Sequence, residues 1–101
     1  MSYIRFFLSA VSPDDVEEVI RLFETDVVPA FRDHPDCLGI DLVIAEEAGV
    51  SGLVEGGVIT RWTSVEAMEA ALDSPELVAS QERVRGLLRR EPIRKIYRVL
   101  G

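Results

Sequence analysis

Residues 61–77, RWTSVEAMEAALDSPEL, carry a tryptophan out of a strand and straight into a helix start. Thr63 and Glu66 make a T-x-x-E capping box, which predicts that the strand ends at Trp62 and a helix follows. Ser74, Pro75 and Glu76 repeat the start signal, so the helical stretch divides into a short helix and a longer one. Leu77, Gln81, Val84 and Leu88 stripe the longer helix, with Leu87 beside them. The Glu91-Pro92 pair stops it, and IRKIYRVL (93–100) reads as a final strand. Two readings of Trp62 are open: a plug for the core, or a pocket wall offering its indole N–H to a ligand.

Upstream, YIRFFLSAV (3–11) alternates as a strand does. Ile4, Phe6, Leu8 and Ala10 share one face, and Tyr3, Arg5, Phe7 and Ser9 the other. SPDD (12–15) then opens a helix: Ser12 caps, Pro13 suits the first turn, and Asp14 and Asp15 suit the positive end. Val16, Val19, Ile20, Phe23, Val27 and Phe31 recur at helical spacing, with a kink or break expected near Pro29. Pro35 and Gly39 end that helix. A second strand starts at about Leu38, with Leu38, Ile40, Leu42 and Ile44 facing one way and Asp41, Val43 and Ala45 the other. EEAGVSG (46–52) is turn material, and a third strand runs from about Leu53 to Trp62. Gly56 and Gly57 inside it predict a bulge or a close backbone approach.

The order is β-α-β-β-α-β, the ferredoxin-like α+β arrangement of an antiparallel four-stranded sheet with helices on one face. The open face, assigned Phe7, Val43 and Val58, is too apolar for water, so a homodimer with sheets face to face is expected. Residues 1–101 form one domain, of a size that oligomerisation would help.

The net charge of −7 argues against a nucleic-acid partner, which needs a basic footprint. No run approaches the ~20 apolar residues of a membrane span. The first residues carry no leader pattern, and Cys37 is the lone cysteine, so a soluble, cytoplasmic protein in a reducing compartment is expected. One Cys and one His make a single-chain zinc site unlikely to form, and no other metal spacing or cofactor fingerprint is present. Residues 83–101 hold seven basic groups (Arg83, Arg85, Arg89, Arg90, Arg94, Lys95, Arg98) against Glu91 alone. They read as cations on a helix C-terminus and a solvated strand, or as a self-complementary contact, basic tail on acidic body, that suits a homodimer.

Two segments carry a family resemblance. VVPAFRDHPDCLGIDLVI (27–44) is similar to a P-a-f-r-x-x-P-G-c-l-g segment, and TRWTSVEAMEAALDSPEL (60–77) to a W-x-s-x-e-A-x-x-x-H-l-x-S-p block. Both belong to the antibiotic biosynthesis monooxygenase type of dimeric α/β-barrel domain. The resemblance covers almost the whole chain and specifies the fold better than the chemistry, since that superfamily also holds haem-degrading enzymes and isomerases. Two departures count. The family's His, nine residues after the Trp, is Ala71 here, and Asp36 stands where Gly is usual. The haem-degrading branch also uses an Asn on its first strand, and this chain has no asparagine, so haem turnover is disfavoured.

The resemblance implies cofactor-free oxygenation of a small, electron-rich aromatic or polyketide-type substrate by O₂. The cavity would lie between helices and sheet, or between paired sheets. Candidate catalytic residues are Trp62 as oxyanion donor, Asp41 as base and Arg5 as cation, the last two assigned to the face opposite the helices. Arg5 and Asp41 also read as a cross-strand ion pair. Tyr3, Phe7, Val43, Val58 and Tyr97 are the candidate substrate contacts, with Tyr97 favoured for the dimer contact. His34 and Cys37, in RDHPDC, invite a Cys–His nucleophile, but nothing nearby activates the thiol. The rival functions are a non-catalytic ligand-binding or interaction domain, favoured by Ala71, and an isomerase or lyase of the same barrel class.

Overall fold

Alternation over the first ten residues does form a strand. In the computed structural model, which describes residues 1–101, β1 spans Ser2–Val11. A 3₁₀ turn follows at Pro13–Asp15, where the Ser12 hydroxyl accepts from the Asp14 N–H at 3.4 Å. The first helical region is continuous but not uniform: α1 (Val16–Leu22), a π turn (Phe23–Val27) and α2 (Val28–Arg32). The expected irregularity thus lies just ahead of Pro29. Proline has no N–H for the carbonyl four residues back and its ring crowds that carbonyl, so the wider turn absorbs both problems. Across it the Val28 N–H donates to the Phe23 carbonyl.

Strands β2 (Cys37–Ile44) and β3 (Val54–Trp62) form a hairpin, followed by α3 (Val65–Leu72), α4 (Pro75–Arg85) and β4 (Ile93–Val99). The sheet order is β2-β3-β1-β4 with every neighbouring pair antiparallel, the ferredoxin-like arrangement.

Register decides which face each side chain takes, because directly opposed residues point to the same side. Tyr3, Arg5, Phe7 and Ser9 stand opposite Trp62, Thr60, Val58 and Gly56. Trp62 packs with Phe23, Val27, Phe31, Met68, Ala71 and Leu77, so this is the helix-covered face. The expected assignment of Phe7, Val58 and Arg5 to the open face is therefore reversed. The open face instead carries Ile4, Phe6 and Leu8 of β1, Ile59 of β3, Val43 of β2 and Tyr97 of β4. Both faces of β1 are apolar enough to be buried, and only the strand pairing shows which one the helices take.

Smaller features also shift. A bulge between Cys37 and Gly39 throws Leu38 out of line with Ile40, leaving it 53% exposed. The cap of α3 is Ser64 rather than Thr63: its hydroxyl accepts from the Ala67 N–H at 3.1 Å. Thr63 donates instead to the Asp36 carboxylate at 3.0 Å, tying the turn before β2 to the end of β3. Gly56 and Gly57 stay in regular ladder register, so they mark a close approach and not a bulge. A Cβ on Gly57 would sit 2.2 Å from the Phe7 carbonyl oxygen, and one on Gly56 2.7 Å from that of Val43.

The basic segment docks on the acidic body within the chain itself. Arg83 pairs with Asp26 at 3.7 Å, Arg89 with Asp15 at 3.4 Å and Arg90 with Glu55 at 3.3 Å. No helix is long and apolar enough to cross a membrane.

Candidate functional site

Between the helices and the sheet lies an apolar cavity of about 90 Å³. Its floor is sheet: Phe7, Leu42, Ile44 and Val58, with the bare backbone of Gly56. Its roof is the first helical region, through Val19, Phe23, Val27 and Phe31, and α4 closes one side with Gln81 and Val84. The glycine matters here. Any side chain at position 56 would point to the helix side and take up this space.

One charge enters this lining from the sheet floor. Arg5 sits mid-strand on β1 between Thr60 of β3 and Ile96 of β4, and only 7% of its surface is exposed. No carboxylate reaches it: the ion pairs of the chain belong to Arg21, Arg83, Arg85, Arg89 and Arg90. None of the arginine hydrogen bonds belongs to it either. Its guanidinium carbon lies 5.5 Å from the centroid of the Phe7 ring, and that of Arg94 lies 5.2 Å from the same centroid. Burial pulls the Arg5 pKa down, and the neighbouring charge of Arg94 adds to the effect. A cation held in an apolar cavity without a counter-charge is costly unless an anion joins it.

The other candidates scatter. Trp62 is fully buried, outside the cavity lining, and its indole N–H donates to the Thr60 hydroxyl at 2.8 Å. Its ring meets that of Phe31 edge-on at 6.2 Å, so it reaches the cavity only through Phe31. Asp41 is exposed on the open face of β2, while Arg5 is on the helix side of β1 with β3 between them. The expected Arg5–Asp41 ion pair is excluded by that placement. Val43 and Tyr97 also lie on the open face, where Tyr97 meets Phe6 edge-to-face at 5.4 Å. Tyr3 is on the helix side at the Trp62 end, away from the cavity. Only Arg5, Phe7 and Val58 of the candidates come together.

The His34–Cys37 pair offers no nucleophile. Desolvation pushes the Cys37 thiol up, against a smaller opposing effect of the Gly39 backbone, and the thiol contacts the Gly39 carbonyl at 3.5 Å. His34 Nε2 instead lies 3.4 Å from the Ser74 hydroxyl. Ala71 packs in the core beneath α3. Glu55, the one carboxylate on the cavity rim, is paired with Arg90.

The sequence profile described as antibiotic biosynthesis monooxygenase matches residues 1–83. The chain belongs to that family. Solved structures agree in fold with this monooxygenase-type domain. Rv0793 from Mycobacterium tuberculosis is 19% identical, with 100% of this chain and 97% of the other covered at a TM-score of 0.72. PA3566 from Pseudomonas aeruginosa is 19% identical, covering 99% and 95% at 0.71. A variant of SnoaB, a cofactor-independent oxygenase from Streptomyces nogalater, is 16% identical, covering 98% and 94% at 0.73. At such identities the likeness is one of fold. No curated protein matches the sequence.

Arg5 was named as the cation of the site but assigned to the wrong face of the sheet, because alternation along β1 does not say which face the helices cover. Gln81 and Arg94 were missed as site residues altogether. Their one signal was position: Gln81 is the polar residue in the Leu77–Leu88 stripe, and Arg94 is the register partner of Phe7.

Proposed function

We propose that this family member is a cofactor-independent monooxygenase acting on a small phenol or enol in the cavity between helices and sheet. The observation that carries the reading is Arg5, a buried guanidinium without a counter-charge facing a largely apolar chamber. Such a cation stabilises a phenolate or enolate over its neutral form, as a buried positive charge lowers the pKa of an acid beside it. The released proton goes to solvent. The electron-rich anion then passes one electron to O₂, and the resulting radical and superoxide combine at carbon as a peroxide anion that takes a proton back from solvent. Loss of water leaves a carbonyl there, so a phenol plus O₂ becomes a quinone plus water, with the four electrons supplied by the substrate.

In this scheme the protein needs no dedicated base, which suits a cavity whose only rim carboxylate is held by Arg90. Phe7 and Val58 pack against the substrate ring. Phe31 walls one side of the chamber, with Trp62 packed edge-on against it and Thr60 bonded to the indole, and Asp41 takes no part. The open face of Ile4, Phe6, Leu8, Val43, Ile59 and Tyr97 supports pairing with a second copy, sheet to sheet. A reducing cytoplasmic setting fits the lone Cys37.

An oxygen electrode read against a panel of one-ring phenols and enols is the test. Uptake that requires the protein and falls about a hundredfold in Arg5→Gln is expected. Binding of the same compounds without any oxygen uptake would favour the non-catalytic ligand-binding reading, which the core position of Ala71 supports.

A further inference from the structure

The apolar cavity adjoins a second space of different character. Gln81, Leu88 and Phe7 line both. Beyond them lies a vestibule of about 360 Å³ walled by Arg85, Arg89, Arg90 and Arg94, with Glu91 and Pro92. Its frame is fixed by the chain after α4: the Arg89 N–H donates to the Ala10 carbonyl at 2.8 Å, and the Ser9 hydroxyl to the Arg90 carbonyl at 2.8 Å.

Three of the four vestibule arginines already have partners. Arg85 pairs with Glu82 at 3.3 Å, Arg89 with Asp15 and Arg90 with Glu55. Arg94 has none. It stands over the Phe7 ring that also carries buried Arg5, so two guanidiniums without counter-charges meet at a ring that lines both spaces. The protein's own acidic groups do not neutralise them, although it carries a net charge of −7.

We infer that the ligand is a small amphipathic carboxylic acid, its carboxylate on Arg94 in the vestibule and its single ring entering the cavity past Phe7. A planar guanidinium matches a carboxylate in two parallel hydrogen bonds, which favours this anion over a diffuse charge. Size limits the other end. The chamber of about 90 Å³ is smaller than a cavity of about 150 Å³ known to admit benzene, so one ring, reaching in past the Phe7 side chain that lines both spaces, is the upper bound. A phenolic hydroxyl at the leading end of that ring would approach Arg5, giving each cation an anion. This names the substrate class of the oxygenase reading and rests on it for turnover, but not for binding.

Binding is therefore measured without oxygen. Anaerobic calorimetry on the intact chain compares 4-hydroxyphenylacetate with p-cresol, which lacks only the carboxylate. The acid is expected to bind at least about tenfold more tightly, the gap narrowing as salt is raised. Arg94→Gln should remove the gap and leave p-cresol affinity as it was. Lys95→Gln, on the opposite face of the sheet beside Phe6, should leave the gap intact. Equal affinities, a gap that survives Arg94→Gln, a gap that Lys95→Gln also removes, or no binding of the acid would each overturn the inference. Oxygen uptake is read separately. Turnover of neutral phenols with no preference for the acid leaves the oxygenase standing and ends this proposal. Acid-selective binding without uptake does the reverse.

Discussion

Trp62 and Thr60, two residues apart on β3, satisfy each other in the core through the 2.8 Å bond from indole N–H to hydroxyl. Both side chains are essentially without exposed surface. The largest ring of the chain thus spends its polar atom on its own strand. Trp62→Phe should leave the Thr60 hydroxyl buried without its donor and cost about 1–3 kcal/mol of stability. Urea unfolding followed by circular dichroism measures this, and oxygen uptake per folded molecule should change little. The single tryptophan should emit at short wavelength and resist acrylamide, with or without ligand. A hundredfold loss of uptake in a well-folded Trp62→Phe protein would return the indole to the chemistry.

Arg5→Met should raise stability while abolishing function. The substitution keeps the length and the apolar stem and removes a charge that burial largely desolvates. A gain of about 0.5–2 kcal/mol is expected, the usual scale when a strained functional group is removed. Chemical denaturation of the two proteins, beside oxygen uptake, gives both readouts. A loss of stability would mean that the guanidinium is satisfied in the apo protein after all.

Gly57→Ala should destabilise by at least about 1–3 kcal/mol, since its Cβ would meet backbone at 2.2 Å in a central strand. Gly39→Ala has open space around it and serves as the matched control, with a change within about 0.5 kcal/mol. Thermal melts of the pair are sufficient.

The Cys37 thiol gives a pH signature. Its folded pKa is raised by burial, so the folded chain keeps the proton longer than the unfolded chain does. Its contribution to stability is complete below the ordinary thiol value of about 8.5. It is then lost as pH rises from there through the raised folded value. Unfolding curves of the native protein and Cys37→Ser should converge above that range, and iodoacetamide should label the native thiol more slowly than a free cysteine at pH 8.

Element order was readable because each segment has a clean period and a breaker at its end. Which face of β1 meets the helices was not readable. Ile4, Phe6 and Leu8 form a more apolar face than Tyr3, Arg5, Phe7 and Ser9, yet the helices cover the mixed face, and the deciding fact is long-range: Trp62 opposite Tyr3. The cap of α3 slipped by one residue because Thr63 and Ser64 are equally able to cap, and only the pull of Asp36 on Thr63 separates them. The candidate site was legible at Arg5, Phe7 and Val58 as residues, though on the other face of the sheet from the one expected. It was illegible at Arg94, whose role comes from a register partner 87 positions away in the chain and not from any local pattern.

The π turn at Phe23–Val27 has a consequence for chain length. Such a turn holds one residue more than the α-helix it interrupts. Deleting one residue there would straighten the helix and still present Val19 on one side and Phe31 on the other to the same roof of the cavity. A deletion that no such slack absorbs would rotate everything downstream by about 100° and swing Phe31 away from Trp62. The shortened helix would, however, place the ring of Pro29 against the carbonyl one turn back. Relatives one residue shorter in this segment should therefore have lost the proline as well, so that loop-like tolerance to length change sits inside a helix, governed by a single residue.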